Sequence, residues 1–101
     1  DAPRVFLLGI LKDKDIDAML AALLRPGDQV VTVRPNSERA AGADVVAAVA
    51  LGMGIDTHAC GDPRTGLAEA ENRAQRSHAL LVAAGSLYLV GGIRALLLAG
   101  R

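Results

Sequence analysis

A chain of 101 residues suggests one domain, near the small end for a full core. With 51% hydrophobic and 22% charged residues it does not read as disordered, and because Phe6 and Tyr88 are its only aromatics the core must be built from Ala, Leu, Val and Ile. Eleven basic residues balance eleven acidic ones, so there is no electrostatic case for nucleic acid or an anionic membrane, and stacking platforms for single strands are missing too.

Taken in order, the chain opens with a continuous apolar run, Val5 to Leu11, of the kind that a parallel sheet buries on both faces. Lys12-Asp13-Lys14-Asp15 follows, and Asp13 or Asp15 can cap a helix in which Ile16, Met19, Leu20, Leu23 and Leu24 repeat at helical spacing. Arg25-Pro26-Gly27 stops that helix. Gln29 to Arg34 is rich in β-branched residues and reads as a second strand. After a turn at Pro35-Asn36-Ser37, Gly42 breaks the helical region, leaving a helix from Ala43 to about Met53 with Val45, Val46, Val49 and Ala50 as its apolar stripe.

Ile55 to Cys60 is a weak third strand, with Ile55, Thr57 and Ala59 on one face and Asp56, His58 and Cys60 on the other. Asp62-Pro63 pairs an N-cap with a proline at the first helical position, and starts a polar helix to about Ser77 over a thin stripe of Leu67, Ala68, Ala70 and Ala74. Ala79 to Ala84 is then a short apolar run of strand length. Gly85 permits a tight turn and Ser86 can cap a further helix to Ala99. Four strands and four helices in βα alternation predict a Rossmann-like, mostly parallel α/β sheet over residues 1–101 as a single domain. Gly85, Ser86, Gly91, Gly92 and Arg94 interrupt the last apolar stretch, which argues against a membrane span.

Some chemistries find no support. His58 and Cys60 have no second ligand cluster, so no metal site is expected. Gly52-x-Gly54 ends a helix instead of following a strand, so it is a C-cap and not a dinucleotide fingerprint. No phosphate-cradling Gly-Lys-Ser/Thr is present, and nothing locates a base for Ser86, so no catalytic residue is assigned. One cysteine gives no disulfide framework and is compatible with a reducing cytoplasm; no signal peptide is seen. Two features remain. A Ser86-capped helix at the carboxyl end of a strand would offer free N–H groups to a carboxylate or phosphate. Lys12-Asp13-Lys14-Asp15 should lie on that same edge, where Lys12 or Lys14 can meet an anionic ligand or an acidic neighbouring domain.

Gly85-Ser-Leu-Tyr-Leu-Val-Gly91 resembles the signature near the end of folylpolyglutamate synthase/dihydrofolate synthase, in the Mur ligase superfamily. Leu8-Gly-Ile-Leu-Lys-Asp-Lys-Asp-Ile-Asp17 resembles the same family's Gly-x-x-x-Asp-Lys-Asp stretch, in the same order and with similar spacing. The resemblance runs from about Arg4 to Leu98 and implies the C-terminal domain of an ATP- and magnesium-dependent ligase that joins L-glutamate to a folate or dihydropteroate through an acyl phosphate. That domain closes over nucleotide and amino acid held by a central domain. Ser86 matches the family's serine associated with the glutamate site, with Tyr88 beside it. The sequence begins after the family's Asp-Gly-Ala-His-Asn-Pro segment. The resemblance thus implies a truncated domain without the family's first strand, inactive and free of ligand by itself, and open to homodimer formation through an unpaired edge.

Overall fold

Strand β1 (Arg4–Gly9) runs through the middle of the fold, because its apolar run has no polar side to turn toward water. In the computed structural model of the chain, residues 3–85 are described. After β1 come α1 (Ile16–Leu23), β2 (Gln29–Thr32), α2 (Ala43–Gly52), β3 (Asp56–Ala59), α3 (Pro63–Ser77) and β4 (Leu80–Gly85). The strands are all parallel, in the order β3-β2-β1-β4. The expected α/β alternation is present with three helices in place of four, since the fourth, after Ser86, lies outside the described residues.

Alternation along β1 divides the core in two. Val5 and Leu7 join Val31, Val33, Cys60, Leu67, Ala70 and Ala74 under α3. Phe6, Leu8 and Ile10 join Leu20, Leu24, Val30, Val46, Ala50 and Ile55 under α1 and α2. That division follows from right-handed crossovers: the chain moves outward from β1 to β3, then returns across the sheet to the far side of β1. Thr32, a buried hydroxyl, donates to the Ala43 carbonyl at 2.7 Å and ties β2 to the start of α2. No buried side-chain nitrogen or oxygen among the described residues lacks a partner.

Most element boundaries follow their signals. Asp15, and not Asp13, caps α1 by accepting from the Ala18 N–H at 3.1 Å. Asp62 caps α3 through the Thr65 N–H at 3.0 Å, with Pro63 at its start as anticipated. Gly27 and Gly54, both at positive φ, follow α1 and α2. Three expectations need correction. Strand β2 ends at Thr32, because Val33 already leaves the strand while its N–H still bonds the Leu8 carbonyl at 2.9 Å. Val45 is 51% exposed, and Ala43 and Ala47 take the inner positions beside Val46 and Ala50. Positions 43, 46, 47 and 50 share one face of the helix, and Val45 falls outside it. In α3, Ala68 is exposed, and Gly66 lies in the inner stripe instead.

The amino edge of the sheet is held by a charged group. Arg4 donates to Asp28 through Nε at 3.0 Å and Nη2 at 2.7 Å, and lies over the Phe6 ring with 4.7 Å to its centroid. The Arg25 N–H donates to the same carboxylate at 2.8 Å. Burial pushes the Asp28 carboxyl up, but hydrogen bonds from Arg4 and Arg25 outweigh it and hold the group below the usual carboxylate range.

Candidate functional site

The order β3-β2-β1-β4 puts a reversal of chain direction between β1 and β4, and in open parallel sheets the crevice outside such a point is where ligands bind. Gly9 and Gly85 are register partners at its mouth. Gly85 has φ +125°, and a Cβ built on it would lie 2.0 Å from the Gly9 carbonyl oxygen. No side chain fits, so the two backbones can close against each other only with glycine here. Strand β4 runs parallel to β1 and so delivers the chain to the rim at which β1 ends, and the residues leading up to Gly85 are strand and not helix. Ser86 and Tyr88, the residues singled out for a carboxylate, lie outside the described residues.

Beyond Gly9 the chain is tightly organised. Leu11 forms an isolated antiparallel bridge with Ala40, the Ala41 N–H donates to the Ile10 carbonyl, and the Lys12 N–H donates to the Arg39 carbonyl, both at 2.8 Å. The Lys14 N–H returns to the Leu11 carbonyl at 3.2 Å, closing a turn. Within Lys12-Asp13-Lys14-Asp15, both carboxylates are engaged: Asp13 takes a hydrogen bond from Arg39 Nη2, and Asp15 caps α1. The Arg39 guanidinium, through its hydrogen bond and charge, holds the Asp13 carboxyl below its usual range. Lys12 and Lys14 are exposed, and neither ammonium has an ion-pair partner among the described residues. Lys12 and Lys14 thus stand past the carboxyl end of β1 with no ion-pair contact among the described residues, Lys14 acting on Asp13 through its charge alone.

Three clefts open on or near this edge. An apolar one of about 310 Å³ lies between α1 and the end of β4, lined by Leu8, Ile10, Met19, Leu20, Ala84 and Gly85 among others. Two more, of about 500 and 380 Å³, adjoin at the ends of β2 and β3 and share Arg34 and Gly61. Arg34 is their sole cation, against Glu38, Asp44 and Asp62, a balance that does not favour an anion. His58 is exposed and Cys60 buried, with burial pushing its thiol up. Among the described residues no group of three or more His, Cys, Asp or Glu side chains could hold a metal. These residues therefore do not fit a magnesium site of their own.

Sequence reasoning placed the lysines past the carboxyl end of β1, where the structure has them, but missed Arg39, which organises their loop. No spacing could have revealed it, since it pairs with Asp13 across 26 positions and stands in an ordinary polar turn.

The dihydrofolate synthetase C-terminal domain family model matches residues 1–97. The chain belongs to that family. Among solved structures, it is similar to Mycobacterium tuberculosis folylpolyglutamate synthase complexed with ADP and AMPPCP, at 27% identity and a TM-score of 0.84 over 92% of this chain. A second structure of that enzyme, with ADP, matches at 24% identity and a TM-score of 0.81 over 92% of this chain. Thermotoga maritima folylpolyglutamate synthase matches at 23% identity and a TM-score of 0.74 over 99%. The last two likenesses, below 25% identity, bear on the fold alone. The chain spans 23%, 23% and 22% of the length of those three chains. No curated protein matches it significantly. No helix among the described residues is long and apolar enough to cross a membrane.

Proposed function

We propose that residues 1–101 form one domain, the C-terminal domain of a cytoplasmic ATP-dependent ligase that joins L-glutamate to a folate or dihydropteroate. In this reading the domain closes over nucleotide and incoming glutamate, while magnesium and the triphosphate are held outside the described residues. The observation that carries it is that Lys12 and Lys14, exposed just past the carboxyl end of β1, have no ion-pair contact among the described residues. A glutamate carboxylate approaching that rim would meet positive charge, and the family resemblance assigns Ser86 and Tyr88 to the same ligand. Nucleotide-bound folylpolyglutamate synthase among the similar structures supports ATP as the co-substrate.

The domain's own contribution is positioning. It brings the amino acid to an acyl phosphate formed elsewhere and excludes water when it closes, the kind of contribution that lowers a barrier without covalent chemistry by the protein. We also read the isolated chain as able to pair with a second copy through an open strand edge, β3 and β4 being the outer strands among the described residues. The test is an ADP-release assay on the full-length protein and on residues 1–101 alone. Full-length protein should release ADP only when both glutamate and a folate or dihydropteroate are present. The isolated chain should release none. Turnover by residues 1–101 alone, or none by the full-length protein with any pterin acid, sinks the proposal. Light scattering on the isolated chain checks the pairing: a clean monomer at high concentration removes it.

A further inference from the structure

We propose that Arg39 is a positioning residue for the anion-binding rim: it captures Asp13 and so keeps Lys12 and Lys14 available to substrate. The inference rests on the reading of those lysines given above and deepens it. Asp13 lies between the two lysines in sequence, so without another partner its carboxylate would neutralise one of them. Arg39 takes that hydrogen bond instead, Nη2 to Asp13 Oδ2, and leaves Lys14 only a weaker interaction with the carboxylate through charge.

The same residue holds the loop a second way. Its carbonyl accepts the Lys12 N–H at 2.8 Å, next to the Leu11–Ala40 bridge. Main chain and side chain of Arg39 therefore grip the loop on either side of Lys12. The ion pair is open to water, with the two side chains 64% and 50% exposed, so it adds little to folding. What it changes is which carboxylate the lysines see. The backbone grip survives truncation of the side chain, which separates the two effects.

The experiment uses the full-length protein in the glutamate-dependent assay, with Arg39→Ala, Arg39→Lys, Asp13→Ala and the Arg39→Ala/Asp13→Ala pair. Arg39→Ala should raise the KM for glutamate by about threefold or more, the size of one exposed charge contact, with kcat and Tm near the parent. Arg39→Lys should recover most of the loss. Asp13→Ala in the Arg39→Ala background should restore KM, because the competing carboxylate has gone; a merely structural role for Arg39 predicts no such rescue. Lys12→Ala and Lys14→Ala test the reading beneath. If neither raises KM, the anion role of the lysines falls and the Arg39 assignment with it. If either does while Arg39→Ala leaves KM unchanged, or Asp13→Ala gives no rescue, the Arg39 assignment alone is overturned.

Discussion

At the amino edge of the sheet, Asp28 is 5% exposed and accepts from Arg4 and from the Arg25 backbone. Its carboxyl pKa is lowered in the folded chain, against an ordinary unfolded value of about 3.9. A depressed folded pKa means that the stabilisation is present above the unfolded value and is lost as pH falls through the folded one. The Tm of the chain should therefore drop as pH falls below about 4, and Asp28→Asn should flatten that acid limb. The same variant should cost about 2 kcal/mol at neutral pH, since it leaves Arg4 with a weaker partner. Thermal unfolding at a series of pH values checks both; an unchanged acid limb in Asp28→Asn removes Asp28 as its source. The residue also shows what a sequence hides. The Asp62-Pro63 cap was legible because capping is local, whereas Asp28 meets Arg4 across 24 positions and nothing in its neighbourhood announces the pair.

Among the elements, α2 and α3 show why the same residue type has opposite meanings. Gly66 faces the sheet in α3, and a Cβ there would lie 2.0 Å from Val33 Cγ1 and 3.3 Å from Leu7 Cδ1. Gly52, the last residue of α2, has nothing within 4 Å of its would-be Cβ. Gly66→Ala should destabilise by about 1–3 kcal/mol through overpacking, because α3 cannot sit as close to β2. Gly52→Ala should stabilise by about 0.4–1 kcal/mol, since it restricts only the unfolded chain. Urea melts of the two variants should move in opposite directions, and movement in the same direction removes the packing argument. Helical periodicity located both helices but not this distinction. It reads apolar spacing, and so it assigned Val45 inward and passed over Gly66, where closeness of approach and not side-chain size decides the fit.

For the molecule as a whole, βα alternation was legible because each strand and helix carries its own pattern, but the order β3-β2-β1-β4 was not, because strand order is written in no single segment. The shared edge was legible for that first reason: in a parallel sheet every strand ends on the same rim whatever the order, though only the order sets β4 beside β1. The order does decide how firmly that rim is held. Strand β1 pairs along both sides, with β2 and β4, and β2 likewise pairs with β1 and β3. Val5 to Leu8 and Val30 to Thr32 are buried, whereas β3 is mostly exposed. The backbone amides of β1 and β2 should exchange with deuterium only through global unfolding, and those of β3 at least about tenfold faster through local opening. Site-resolved exchange at neutral pH makes the comparison. Should β3 exchange as slowly as β1, the sheet opens as one unit and the hydrogen bonds of the Lys12–Asp15 turn are backed by the whole domain. A slow β1 beside a fast β3 places that backing in the central strand, past whose carboxyl end the turn lies.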